Sequence, residues 1–410
     1  MKIKAMRKYE MDKLVMKELI KKFGTPTFFF DEKILRDRIE YLRSRMPESV
    51  SLCYAVKANA FIIPYVAKLV ERLEVCSPGE YDICKKYMIS TSQMVISGVH
   101  KTKDYIQKIV TDDIGENGSC CAIYTIESLR HGMILEDVAR EMGTTLQVLL
   151  RLSSGNQFGM DPIDIFEIAK YQIEKYPHLS VKGIQYFSGT QRRSMKKNAR
   201  EIASVCEVMD RLRLDYGLKC EEFEYGTGFP VCYFQGEEFE EENFLKDFSE
   251  AFSLVASNYK VTLEIGRGIA ASCGSYVTQV VDLKTVSKQN YAILDGGIHQ
   301  LVYYGQTMAM RHPYYDLYSD EKQYSQTDEE IKNWNLCGSL CTTNDIVVKQ
   351  LPIKRLKEGD FFVFHNTGAY SVTEGIALFL SRELPKVVLI KENGDAALVR
   401  DAVKTFTLNS

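Results

Sequence analysis

Short apolar, β-branched or aromatic runs recur along the first two thirds of the chain, and between them apolar residues fall three and four positions apart. That alternation predicts repeated βα units and a parallel sheet. Strands are expected at 51–56, 73–76, 94–97, 121–125, 145–152, 181–187, 222–225 and 260–265, with helices over 62–71, 81–87, 126–142, 163–176 and 195–216 between them. Eight such strands favour closure into a (β/α)8 TIM barrel over a doubly wound open sheet. After Gly274 the texture changes to alternating runs at 275–281, 291–294, 346–349, 361–364, 386–391 and 396–399, which predict an antiparallel β-sandwich or barrel domain. The expected organisation is an α/β chain with an N-terminal segment, 1–26, packing on the C-terminal domain, a barrel over 27–274 and a β domain over 275–410. Residues 319–335 are polar and acidic, and are expected to form a surface loop.

Length and composition support this picture. A chain of 410 residues with 45% hydrophobic residues exceeds what one core usually holds, so two domains are expected. The 52 basic and 55 acidic residues give a net charge of −3, which argues against a nucleic-acid partner or an anionic membrane surface. Eleven cysteines without a C-x-x-C pair predict reduced thiols, and six scattered histidines show no metal-ligand spacing. With no signal-like segment and no long apolar run, a cytoplasmic location is expected and neither metal nor membrane is.

Barrel active sites are built at the C-terminal ends of the strands. The first strand ends in YAVKAN, which places Lys57 where apolar residues converge on one ammonium; a desolvated lysine there can condense with a carbonyl, although on this motif alone a lysine reaching out to solvent fits better. The seventh and eighth strands end in Gly226-Thr227-Gly228 and Glu264-Ile265-Gly266-Arg267-Gly268. Glycines at these two positions, beside an arginine, suit a phosphate group. A reactive lysine plus a phosphate cradle points to pyridoxal 5′-phosphate (PLP), and Glu264 would face the pyridine nitrogen.

These motifs, with CSPGEY (76–81), QFGMD (157–161), GIQYFSGTQ (183–191), LDGG (294–297), CGSLCTTND (337–345) and HNTGAY (365–370), follow one another in an order that resembles the fold-type III PLP-dependent decarboxylases, the superfamily of diaminopimelate and ornithine decarboxylases. Alanine racemases share the barrel but place an arginine at the pyridine nitrogen. The resemblance implies that Lys57 forms the Schiff base, that Glu264 partners the ring nitrogen, and that Gly226, Thr227, Gly228, Gly266, Arg267 and Tyr370 hold the phosphate near Thr190. It implies that Cys341 reprotonates the substrate Cα, and that Cys341 and Asp345 reach into a neighbouring subunit's site in a head-to-tail homodimer. Arg311, Thr342 and Asp345 are substrate candidates.

Two departures bear on the substrate. Phe187 stands where the family commonly has a histidine stacked on the cofactor, and Thr342 stands where it has an acid that holds a basic substrate's far end. The pattern Cys-Thr-x-x-Asp is similar to that of the butirosin-pathway decarboxylase, which acts on glutamate tethered to an acyl-carrier protein. The expected activity is α-decarboxylation of an amino acid, of the diaminopimelate decarboxylase kind, with tethered glutamate as the alternative. A catalytically silent PLP-binding regulator is the rival, and the retention of Lys57, Glu264 and Cys341 argues against it.

Overall fold

The computed structural model describes residues 13–116, 118–319 and 330–410. The chain divides into two compact units, one formed by 39–230 and 240–268, the other by 1–38, 231–239 and 269–410. The second unit begins with a helix, Lys13–Phe23, and strand β1 (Thr27–Asp31). The first unit holds β2 (Ser51–Ala55), β3 (Arg72–Val75), β4 (Met94–Ile96), β5 (Ile123–Ile126), β6 (Leu146–Leu152), β7 (Leu179–Phe187), β8 (Glu222–Gly226) and β9 (Lys260–Ile265). These strands pair in parallel in chain order, and β9 closes onto β2. All eight expected strands are therefore present, and the sheet is the closed barrel.

Closure needs side chains that fill the interior in layers. Cys53, Val95, Ile123 and Leu149, from β2, β4, β5 and β6, form one buried cluster. Gly183 on β7 lies so close to β8 that a Cβ there would sit 1.7 Å from the Glu222 carbonyl oxygen. The helices between strands start on side-chain caps: Ser77, Thr102, Ser128 and Ser194 each accept a hydrogen bond from the backbone N–H three residues on. The expected helix over 62–71 is shorter, a 3-10 turn followed by the single α turn Ile63–Val66.

The second unit carries β10 (Gly274–Val286), β11 (Gln289–Leu294), β12 (Tyr315–Tyr318), β13 (Ile331–Cys337), β14 (Ile346–Lys354), β15 (Phe361–His365), β16 (Lys386–Ile390) and β17 (Ala396–Arg400). With β1 they make a nine-stranded sheet, mixed rather than purely antiparallel, because β1 runs parallel to β16 and β11 parallel to β13. The N-terminal half of β10 pairs with β1 and β15 and its C-terminal half with β11, whose ladder is interrupted by a bulge between Val280 and Asp282. Met16, Leu19 and Ile20 of the first helix pack with Phe29, Val277, Val363, Val388 and Ile390 of this sheet.

Three strands differ from expectation. β1, inside the stretch expected to belong to the barrel, lies in this sheet. β12 is only four residues long. β13 begins within the segment expected to be a loop, and its first three residues are exposed, so its sequence lacks an apolar run; residues 320–329 of that segment lie outside the described residues, as do residues 1–12 of the N-terminal segment.

Gly183→Ala tests how tightly β7 and β8 are locked. The added methyl forces the strands apart, so chemical denaturation should show a loss of about 3 kcal/mol, whereas Gly143→Ala, in open space at a helix end, should cost about 1 kcal/mol.

Candidate active site

Beyond β2 the chain makes a single 3-10 turn, Val56–Ala58, locked by the fully buried Asn59. Its N–H donates to the Val56 carbonyl at 3.1 Å, its carbonyl accepts from the Tyr54 hydroxyl at 3.1 Å, and its side-chain oxygen accepts from the Phe61 N–H at 3.0 Å. Lys57 is thus held at the strand exit. β2 is flanked by β3 and β9, whose register sets Glu74 opposite Ala55 and Glu264 opposite Cys53. The Lys57 Nζ lies 2.6 Å from Glu74 Oε2, 3.6 Å from Glu264 Oε1 and 3.8 Å from Cys76 Sγ. Cys76 is fixed by the start of the helix Pro78–Lys86: Ser77 Oγ caps it by accepting from the Glu80 N–H at 3.2 Å, and Glu80 Oε2 accepts from the Cys76 N–H at 2.7 Å.

Glu74 and Glu264 are both buried, at 2% and 7% exposure, with one ammonium between them. Burial raises the proton affinity of each carboxyl, but for Glu74 the Lys57 charge and hydrogen bond outweigh it and hold the group well below the usual range. For Glu264 burial and the Glu74 charge together push it well above that range. Two carboxyls sharing one site separate in this way, so Glu74 is the anion and Glu264 the acid.

The exits of β7, β8 and β9 are stitched into one cradle. The Arg192 N–H donates to the Gly228 carbonyl at 2.9 Å, joining the β7 and β8 loops. Arg267 Nε donates to Thr190 Oγ1 at 3.2 Å, and the Thr227 N–H to the Glu264 carbonyl at 3.1 Å, joining both to β9. Arg192 also donates to the Tyr225 hydroxyl at 2.9 Å and pairs with Glu201, which accepts from Ser188 Oγ at 3.0 Å. Gly226 lies under Phe187, whose ring would be 2.4 Å from a Cβ there. Gly228 has a φ of +57°, and a Cβ on it would be 2.1 Å from the Gly189 carbonyl oxygen. Gly266 follows β9 directly and leads into the buried Arg267. A small anion fits this arrangement of glycine backbone, hydroxyls and one buried guanidinium.

The barrel interior contains further polar groups that the sequence motifs did not flag. Arg151, at the end of β6, pairs with Glu127 at 3.1 Å and stacks its guanidinium on Phe158 at 5.0 Å. Lys101, 4% exposed, donates to the Gly98 carbonyl at 2.8 Å and to Thr125 Oγ1 at 3.2 Å; burial pulls its ammonium down to about 8. Gln185 and Glu224 are buried in the barrel, and Arg72 and Glu222 lie partly exposed at the starts of their strands. The available signal was alternation: Arg72 and Glu74, and Glu222 and Glu224, stand two apart in strands whose other residues are apolar, so each pair shares one face.

The remaining candidates belong to the second unit. Cys341 is exposed on the loop between β13 and β14. Asp345 is 2% exposed; its two carboxylate oxygens accept the Ile298 N–H at 2.9 Å and the Leu340 N–H at 2.7 Å, between Gly297 and Gly338. It ties this loop to the segment after β11. Thr342 Oγ1 accepts from the Asn344 N–H at 3.4 Å. Arg311 pairs with Glu237 at 2.5 Å and lies 4.3 Å above the Phe234 ring. Tyr370 has a φ of +67°, a conformation a non-glycine residue holds only at a cost of about 1–3 kcal/mol, and its carbonyl accepts from Thr373 and Glu374. Asp295 of the LDGG motif is a structural brace, accepting from Thr25, Thr278 and the Gln279 N–H.

A family model described as pyridoxal-dependent decarboxylase, C-terminal sheet domain, matches residues 53–368. The L-glutamyl-[BtrI acyl-carrier protein] decarboxylase of Niallia circulans is 25% identical, over 95% of this chain and 94% of that protein. The diaminopimelate decarboxylase of Aquifex aeolicus is 24% identical, over 94% of this chain and 91% of the relative. In fold, the chain is similar to the diaminopimelate decarboxylase from M. jannaschii in complex with L-lysine, with a TM-score of 0.80, 21% identity and coverage of 94% of this chain and 91% of that one. The lysine/ornithine decarboxylase from Vibrio vulnificus complexed with cadaverine gives a TM-score of 0.75 at 21% identity, covering 90% and 93%. Among the described residues no helix is long and apolar enough to cross a membrane, and no three His, Cys, Asp or Glu side chains are grouped to hold a metal ion.

Arg192 makes the stitching testable. Arg192→Met leaves Glu201 buried without its cation and should lower stability by about 3–5 kcal/mol, measured by denaturant titration. Adding Glu201→Gln should recover more than half of that loss; an additive double variant would show that the pair does not hold the loops.

Proposed function

The chain belongs to the pyridoxal-dependent decarboxylases, and on that premise we propose that Lys57 carries the cofactor, Glu264 faces its ring nitrogen and Cys341 returns a proton to the carbon that has lost CO2. The observation that carries this reading is the Lys57 ammonium held at the exit of β2 between Glu74 and Glu264. PLP supplies the electron sink for the carbanion left by decarboxylation. The residues present fit it: an amine that can bond an aldehyde, a buried carboxyl acid that would serve the ring nitrogen, and a cradle at three strand ends where glycine backbone, the Thr190 hydroxyl and the buried Arg267 guanidinium come together. Thr190, Thr227, Gly266 and Arg267 complete the cradle, and Tyr370 is proposed as a further phosphate ligand by resemblance alone.

Each side chain then has a defined task. Glu74 Oε2, at 2.6 Å, takes or holds the proton that Lys57 Nζ must lose before it bonds a carbonyl. Glu264, held as an acid by burial and the Glu74 charge, would face the ring nitrogen and could share its proton with it. Phe187 presents an apolar face where an imidazole would bring a charge. Cys341 is the proton donor by resemblance, and its exposure on a loop organised by Asp345 supports that role.

For the substrate, the loop at 338–345 favours an amino acid without a distal ammonium. Asp345 is its one acid, and both carboxylate oxygens are engaged by backbone N–H groups. Glutamate tethered to a carrier protein fits this loop better than a diamine-type side chain does, and the similarity to the BtrI-dependent enzyme supports that second reading. The head-to-tail homodimer is part of the same proposal, supported by Leu378, Phe379, Leu380 and Phe406, which lie exposed on the second unit.

Lys57→Ala should lose the visible absorbance of the lysine-linked cofactor and at least about 10³-fold in CO2 release. Mixing it with Cys341→Ala, each inactive alone, should restore about a quarter of wild-type activity if subunits share sites, and none if they do not. In a CO2-release screen, a glutamyl-carrier conjugate should exceed free diaminopimelate, lysine and ornithine by at least about tenfold; efficient turnover of free diaminopimelate would overturn the substrate reading.

A further inference from the structure

Behind Lys57 the barrel axis contains more carboxyls than cations. Lys57 pairs with Glu74, Arg72 Nη2 pairs with Glu222 at 2.8 Å, and Arg151 pairs with Glu127. Glu224 remains. It is 1% exposed, its Oε1 accepts from Gln185 Nε2 at 2.7 Å, and its Oε2 has no hydrogen-bond partner. The nearest cation, Arg72 Nη1, lies 3.9 Å from Oε2 and is itself without a hydrogen-bond partner. The groups that face Glu224 are Arg72 and Glu74 from β3, Glu222 on its own strand, Gln185 from β7, and Cys53 and Glu264 from β2 and β9. An ionised carboxylate sealed among these acids would be left without adequate compensation.

We propose that Glu224 is a positioning residue that holds a proton on the barrel axis behind Glu264, so that Glu264 is the carboxyl free to ionise against the cofactor's ring nitrogen. Burial pushes Glu224 up to about 7, against the opposing pull of Arg72 and Gln185, and its charge in turn raises Glu264. Below that pH the axis behind Glu264 is neutral there. Above it a second anion appears, and both Glu264 and a nitrogen bound to it hold their shared proton more tightly. Cofactor affinity therefore carries an ionisation that belongs to a residue touching neither substrate nor cofactor.

This inference rests on the reading of Lys57 and Glu264 as cofactor residues, but its first test needs no cofactor. An unfolded glutamate loses its proton near 4.5 and the folded one near 7, so the folded state binds the extra proton and stability falls as pH rises through that window. Glu224→Gln stays neutral throughout. The folding constant of the apoprotein variant relative to wild type should rise on the order of a hundredfold from pH 4.5 to 7.5. A ratio that does not change with pH overturns the proposal, because a merely structural glutamate would shift stability equally at every pH. If the variant does not fold, infrared spectra of Glu264→Gln apoprotein with ¹³C-labelled glutamate serve instead, since Glu264 would give a protonated band of its own: a protonated-carboxyl band lost near pH 7 is expected, and its absence at pH 6 overturns the assignment.

The second arm measures PLP binding from pH 6 to 8.5 by fluorescence. The ratio of wild-type to Glu224→Gln dissociation constants should change on the order of tenfold with a midpoint near 7, and a flat ratio sinks the link to Glu264. Loss of the lysine-linked absorbance in Lys57→Ala tests the underlying reading separately, so failure of one is distinguishable from failure of the other.

Discussion

The site depends on one electrostatic constraint: a single ammonium between two buried carboxyls on neighbouring strands. Charges removed from water require partners, and here they are in short supply. Lys57 satisfies Glu74, and Glu264 is left as an acid. The parallel register of β3, β2 and β9 is what sets these three side chains together, and a slip of one residue in either ladder would turn a carboxyl away from the interior. Closure of the barrel thus sets Glu264 beside Lys57, since an open sheet would not bring β9 beside β2.

The same strand ends fix the cradle. Its three loops are joined by hydrogen bonds from Arg192, Arg267 and Thr227, and the glycines are required by close approach rather than by flexibility alone. Preorganisation of this kind means that binding an anion orders little, which keeps the entropic cost of association small. In the second unit, Asp345 does for the Cys341 loop what Arg192 does for the cradle, through two backbone hydrogen bonds rather than an ion pair.

Much of this was legible in the sequence. Eight short apolar runs marked the barrel strands, because strands covered on both faces cannot hide their composition. Lys57, Glu264 and the paired glycines stood out because their residue types are unusual at strand exits. Glu74, Arg72 and Glu224 did not, since a charged residue inside a four- or five-residue run carries no sign of which face it occupies until the register is known. β13 escaped because its exposed half is polar. Nor could pattern alone show that 231–239 joins the second unit, since assignment to a unit follows contacts rather than chain order.

That interleaving governs how the polypeptide emerges from the ribosome. Thr27 of β1 pairs with Val277 on one side and Lys386 on the other. The wholly buried Phe28, Phe29 and Phe30 are therefore translated long before either neighbouring strand exists. Until β10 and β16 are made, the nascent chain carries three consecutive phenylalanines without the strands that cover them, the kind of exposed apolar surface from which aggregation starts.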